Sequence, residues 1–167
     1  QTAVNLAGLT LIELLPEPTA AAIAYSFQPN SDDAKTILVY DFGGGTFDSS
    51  LIVASGNQFI ETGKAGDLWL GGDDIDAAIM DWVKAQVARE EGIANIDELI
   101  AEMPPHQRNR FLGDLKTAVE RAKIDLSHGD TARIIPSTPL LDELGMQVPI
   151  EVEITRDRFD ELILPIV

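Results

Sequence analysis

Apolar residues recur along this chain in two rhythms, and the rhythms divide it. Runs dominated by Ile, Leu, Val and Phe over residues 36–41, 46–54 and 58–63 are separated by a glycine-rich tip and by Ser55-Gly56-Asn57, which predicts three strands in an antiparallel meander. Their continuous Ile-Leu-Val stretches predict strands buried on both faces. From Asp73 the pattern becomes helical. Ile75, Ile79, Trp82, Val83 and Val87 fall at helical spacing, with Trp82 on the core side and acids at the start to suit the helix dipole. A shorter helix is predicted over 96–103, ahead of Pro104-Pro105. A longer one over 107–126 carries Phe111, Leu115, Ala118, Ala122 and Leu126 on its apolar side and Lys116, Glu120, Lys123 and Ser127 on the other. Residues 131–138 and 146–154 read as a pair of strands around Pro139 to Gly145, and Thr155 is placed to cap a last helix from Arg156. Upstream, Pro16-Glu17-Pro18 punctuates the chain before a short Ala-rich helix over 19–25 that tolerates Pro18 in its first turn. The polar segment Gln28 to Ala34 reads as a turn, so a new unit begins near Lys35.

The first hairpin tip, Asp41-Phe42-Gly43-Gly44-Gly45-Thr46-Phe47-Asp48, carries candidate chemistry. Three glycines let a backbone turn through positive φ and bring its N–H groups against an anion. Asp41 and Asp48 offer carboxylates that hold Mg²⁺ through its waters or orient an attacking water, and Thr46 offers a hydroxyl to a terminal phosphate oxygen. A plain hairpin loop is the competing reading. On the helix over 107–126, Glu120, Lys123 and Ser127 read on composition alone as an exposed charged face.

Composition narrows the partners. With 28 acidic and 12 basic residues among 167, the net charge of −16 repels a phosphate backbone and argues against nucleic acid or an anionic membrane. A nucleotide must then be bound locally, by backbone N–H groups, a metal and a few placed cations. The absence of cysteine removes disulfides and thiolate metal sites and fits a reducing cytoplasm. His106 and His128 lie in polar stretches and read as surface residues, which leaves no histidine metal site. The apolar stretch from Leu9 to Tyr25 is broken by Glu13, Pro16, Glu17 and Pro18, so no membrane span is expected, and both ends of the chain read as cuts within a larger domain.

Taken with Glu17-Pro18-Thr19-Ala20-Ala21-Ala22 upstream, Leu70-Gly71-Gly72-Asp73-Asp74-Ile75-Asp76 downstream, and Glu120-Arg121-Ala122-Lys123-Ile124-Asp125-Leu126-Ser127 later, the tip resembles the nucleotide-binding domain of the DnaK-type 70-kDa heat-shock chaperones. Four motifs stand in the family's order, and the resemblance covers nearly the whole chain. It implies an α/β fold of the actin-like ATPase (ribonuclease H-like) architecture. In that scheme residues 1–34 end the first lobe with a crossover helix, 35–71 open the β-meander of lobe II, 72–155 form its outer subdomain of helices plus a small antiparallel sheet, and 156–167 begin a return helix.

The resemblance also implies ATP/ADP and Mg²⁺ as cofactors. Asp41, Thr46, Asp48 and Glu17 take catalytic roles, with Asp41 and Glu17 on the metal through water. Gly43, Gly44, Gly45 and Thr46 face the phosphates, and Gly72, Glu120, Lys123, Ile124 and Ser127 serve the rest of the nucleotide. The glutamate would bond ribose hydroxyls, the lysine stem would lie along the base, and Ile124 would give an apolar contact where other members use arginine. Gly71-Gly72 would act as a hinge between phosphate and adenosine contacts. The implied function is part of the ATP-binding and hydrolysing domain of a cytoplasmic, ATP-dependent chaperone that couples nucleotide state to binding of unfolded polypeptide. Its implied partners are that polypeptide, through a peptide-binding domain absent from this chain, a J-domain co-chaperone and a nucleotide exchange factor. Asp67-Leu68-Trp69, Asp73 and the segments around Pro104-Pro105 and Leu140 to Gly145 depart from the family pattern. The alternatives are another actin-like ATPase or sugar kinase lobe, a nucleotide-binding scaffold without turnover, and a module that only receives an exchange factor.

Overall fold

The computed structural model of the chain describes residues 1–26, 34–142 and 144–166. The polar turn expected over 28–34 therefore lies outside the described residues except for Ala34. Two compact units emerge, Gln1–Gly71 and Gly72–Val167.

The first unit begins with a short helix α1 (Thr2–Leu6) and the helix α2 (Glu17–Ser26), followed by strands β1 (Lys35–Phe42), β2 (Phe47–Ser55) and β3 (Gln58–Asp67) in the antiparallel order β1-β2-β3. Glu17 opens α2, where its carboxylate meets the positive end of the helix dipole, and Pro18 sits in the first turn where no backbone donor is needed. Directly opposed residues of neighbouring strands share a face. One face thus carries Val39, Ser50, Ile52 and Ala54, and Ser50, Ile52, Ala54 and Ala22 of α2 are buried. The opposite face carries Leu38, Tyr40, Leu51 and Ile60, all exposed. The expectation of strands buried on both faces is therefore corrected: α2 covers one side, and among the described residues no element of the unit covers the other.

The second unit contains α3 (Gly72–Glu90), α4 (Ile96–Glu102), α5 (Pro105–Asp125), β4 (Thr131–Ile134), β5 (Leu140–Leu141), β6 (Gln147–Val148), β7 (Val152–Thr155) and α6 (Arg156–Ile163). Its core forms where three apolar stripes meet. Ile75, Ile79, Val83 and Val87 come from α3, Phe111, Leu115, Val119 and Ala122 from α5, and Ala132, Ile134, Val152 and Ile154 from the β4–β7 ladder. Phe111, Leu115, Ala122 and Leu126 are buried as helical spacing predicts; Ala118, expected beside them, is half-buried, and its neighbour Val119 is buried instead. Trp82 is half-buried, with the Arg158 guanidinium 5.8 Å from its ring centroid, a cation–π geometry that ties α6 to α3.

Helix ends follow local chemistry. The Asn95 carboxamide accepts from the Glu98 N–H to start α4, and the Thr155 hydroxyl accepts from the Arg158 N–H to start α6. The single strand pair expected over 131–138 and 146–154 is instead two short ladders, β4 with β7 and β5 with β6. Pro136, Pro139 and Pro149 lack the N–H groups a continuous ladder requires. The β5–β6 turn is closed by the Asp142 carboxylate, which accepts from the Leu144 and Met146 N–H groups, and by Gly145 at φ 77°. His106 and His128 are exposed, and no helix among the described residues is long and apolar enough to cross a membrane.

Phe111 is fully buried at the meeting of the three stripes, so Phe111→Ala is expected to cost about 3–5 kcal/mol, read from the urea midpoint; an unchanged midpoint would contradict this core assignment. A pH dependence follows from Asp73 and Lys116, 2.8 Å apart between α3 and α5. The hydrogen bond from Lys116, helped by its charge, lowers the Asp73 carboxyl below its ordinary 3.8, and the same contact raises Lys116 above 10.5. A depressed acid stabilises above its unfolded value and loses that contribution as pH falls through the folded one. The midpoint difference between the parent and Asp73→Asn should therefore close as the solution is acidified below pH 3.8.

Candidate functional site

The hairpin tip of the first unit is built on register. β1 and β2 pair so that Asp41 stands directly opposite Asp48, with Phe42 opposite Phe47 as the last pair. Gly43 to Thr46 cross the tip, closed by the Gly43 N–H donating to the Thr46 carbonyl at 2.8 Å. Behind it the Phe47 ring packs on Tyr40, centroids 4.7 Å apart, and on Phe42 at 6.1 Å. None of Gly43, Gly44 and Gly45 has positive φ, which corrects the expected reason for the glycines; positive φ occurs at Gly8, Gly56, Gly92 and Gly145 among the described residues.

Their value lies in what they leave bare. A Cβ on Gly43 would press on the Thr46 carbonyl at 3.3 Å, but one on Gly44 or Gly45 would meet nothing within 4 Å. Among the described residues neither backbone conformation nor packing demands glycine at 44 or 45. What a Cβ there would obstruct is close approach from outside, which suits an anion held on peptide N–H groups. From the other side, a Cβ on Gly71 would lie 2.5 Å from the Gly44 carbonyl oxygen and 2.6 Å from the Gly45 nitrogen, so only glycine lets the segment after β3 lie against the tip.

Below the tip, Pro16, Glu17, Pro18, Asp41, Asp48, Glu61 and Lys64 line a pocket of about 250 Å³. The structure thus brings together Glu17, Asp41 and Asp48. Thr46 and the glycines belong to the exposed tip and do not line the pocket. Like charges opposed across strands are destabilising, so Asp41 against Asp48 is not explained by the sheet itself. Lys64 offsets part of that repulsion: its ammonium lies 2.9 Å from Asp48 Oδ1, and this hydrogen bond, reinforced by the carboxylate charge, raises the lysine above its ordinary 10.5. Among the described residues no cluster of three or more His, Asp or Glu side chains is close enough to ligate a metal directly. Four acids around a small pocket instead suit a hydrated Mg²⁺, which binds through one or two carboxylates and keeps several waters.

The second set of candidates lies on α5. Glu120, Ile124 and Ser127 are exposed along one side, and Ile124 at 54% exposure presents an apolar surface to solvent. Lys123, between them, is engaged within the unit. Its ammonium lies 2.6 Å from Asp76 Oδ1 and donates to the Gly72 carbonyl at 3.2 Å. Asp76 is 3% exposed, and its contact with Lys123 is an ion pair rather than an aligned hydrogen bond. Gly72 is the first residue of α3 and is held by that lysine through its carbonyl. Trp69, beside the glycine pair, is exposed.

Sequence reasoning missed Lys64, Glu61 and Asp76. Nothing in the local pattern marks the first two, because they enter the pocket through strand register. Asp76 follows Ile75 in the α3 pattern, and its burial depends on a lysine 47 positions later.

Similarity to known proteins was found along the entire chain. The model of the Hsp70 protein family matches residues 1–167. Over 159 residues the chain is 37% identical to the stromal 70 kDa heat shock-related protein of Spinacia oleracea chloroplasts, covering 95% of this chain and 24% of that protein. It is 35% identical over 169 residues to the chloroplastic heat shock 70 kDa proteins 7 and 6 of Arabidopsis thaliana, covering 95% of this chain and 20% of each. The chain thus spans about a quarter or a fifth of the length of these relatives. Their chloroplast location overturns the cytoplasmic expectation, which rested on missing cysteine, a feature that does not distinguish one thiol-reducing compartment from another.

Removing Lys123 while leaving Asp76 strands a buried carboxylate. Lys123→Met should lower unfolding stability by about 3 kcal/mol, and adding Asp76→Leu should recover most of it. Equal losses for the single and double variants would show that the pair is not what holds α5 to α3.

Proposed function

The chain belongs to the Hsp70 protein family, and from that premise we propose that it forms part of the ATP-binding and hydrolysing domain of a molecular chaperone, within the actin-like α/β architecture of that family. One observation carries the reading: two carboxylates directly opposed across a hairpin, beneath a tip whose central glycines answer no need of the chain itself. In this reading Gly43, Gly44 and Gly45 offer backbone N–H groups to the phosphates, and the Thr46 hydroxyl donates to a terminal phosphate oxygen. Asp41, with Glu17 at the start of α2, holds the water shell of Mg²⁺. Asp48 accepts a hydrogen bond from the attacking water and orients it. Mg²⁺, when bound with the nucleotide, neutralises charge on the phosphates. Glu120 bonds the ribose, while Lys123, with its head fixed by Asp76, and Ile124 offer stem and apolar surface to the base, beside Ser127. Gly72 and its neighbour Gly71 absorb the movement that opens the site. In the full-length protein these steps set how tightly unfolded polypeptide is held, under a J-domain co-chaperone and a nucleotide exchange factor.

The roles assigned to Thr46 and Asp41 separate rate from affinity. Thr46→Ala or Asp41→Asn in the full-length protein should slow single-turnover hydrolysis on the order of 10²- to 10³-fold while Mg-ATP affinity changes far less. Equal losses of affinity and rate would assign both residues to binding alone. The 167-residue chain by itself, a quarter or less of its relatives' length, should show no turnover at the rate of the full-length protein.

A further inference from the structure

We propose that Lys64 is a positioning residue of the phosphate site, delivered to Asp48 by a bulge in β3. This rests on the reading of Asp48 given above. The β2–β3 register runs Val53 opposite Ile60 and Ile52 opposite Glu61, then shifts so that Leu51 is opposite Gly63 and Ser50 opposite Lys64. Thr62 is the extra residue. In a regular strand Glu61 and Lys64, three apart, would point to opposite faces. The bulge puts both on the face of Ser50 and Ile52, which is the face of Asp41, Asp48 and α2. Ser50 is buried and donates to the Glu61 carboxylate at 3.4 Å, fixing the start of the shifted segment. Gly66, opposite Asp48, fixes its end, since a Cβ there would stand 2.4 Å from the Phe47 carbonyl oxygen.

Two close approaches and a register shift thus converge on one contact, the 2.9 Å pair of Lys64 with Asp48 Oδ1. The lysine side chain is 56% exposed, and pairs so open to solvent add little to stability. Its effect is local. Of the residues lining the pocket, Glu17, Asp41, Asp48 and Glu61 are acids and Lys64 is the one cation. By taking Oδ1, the ammonium fixes the rotation of the Asp48 carboxylate, leaves Oδ2 to accept from a water, and lowers the repulsion an incoming phosphate would meet from four acids.

The test compares Lys64→Met, Lys64→Arg and Thr46→Ala in the full-length protein, each checked for an unchanged thermal midpoint. Single-turnover hydrolysis and Mg-ATP affinity are measured separately. Lys64→Met should slow hydrolysis on the order of tenfold with affinity within about twofold, and Lys64→Arg, which restores the cation, should return most of the rate. Parent-like hydrolysis by Lys64→Met, alongside loss of turnover in Thr46→Ala, would overturn the role of Lys64 while sparing the phosphate-site reading. Slowing that Lys64→Arg does not relieve would also overturn it, since the charge would then be irrelevant. Parent-like turnover by Thr46→Ala would remove the underlying reading and this proposal with it.

Discussion

Register between β1 and β2 governs the candidate phosphate site. The pairing of Phe42 with Phe47, closed by the Gly43 to Thr46 hydrogen bond, sets Asp41 against Asp48, and both then face α2 and Glu17. A slip by one residue would turn one carboxylate to the far side of the sheet. The aromatic contacts of Phe47 with Tyr40 and Phe42 lie on the opposite face, so apolar packing on one side of the hairpin fixes the charge placement on the other. The sheet accepts opposed acids there because its hairpin and aromatic contacts outweigh the local repulsion.

A comparable constraint operates in the second unit, with opposite economy of charge. There a single carboxylate, Asp76, is buried among apolar residues of α3 and answered by Lys123 of α5. The hydrophobic stripes of Ile79, Val83, Leu115 and Val119 hold the helices together through contacts that have no fixed direction. A buried ion pair adds a directional demand, because moving either partner leaves an uncompensated charge in a low dielectric. Through its second bond, to the Gly72 carbonyl, Lys123 carries that positional demand to the first residue of the unit.

How far the sequence reveals this depends on the range of the interactions. Period and punctuation made α3, α4, α5 and the three-stranded meander legible, and the Thr155 cap was visible because a cap is local. On the apolar face of α5, Phe111, Leu115, Ala122 and Leu126 are buried as their spacing predicts, and only between Ala118 and Val119, which both satisfy a helical stripe, does packing in the core choose the neighbour. Proline chemistry broke the expected strand pair into two ladders although the run looked continuous in hydrophobicity. Glu17, Asp41 and Asp48 could be nominated from their neighbours in sequence. Lys64 could not, because a bulge leaves no compositional mark and its effect appears only once the partner strand is in place.

The uncovered face of the meander has a consequence for how such a chain behaves in solution. Leu38, Tyr40, Leu51 and Ile60 form an apolar surface on three adjoining strands, the kind of surface on which copies of a chain stick to one another. Opposing this is a net charge of −16, which keeps copies apart at a distance set by ionic strength. The colloidal balance of the polypeptide is therefore tuned by salt: at low ionic strength repulsion dominates, and as the Debye length shrinks to a few ångströms the short-ranged attraction of that face takes over.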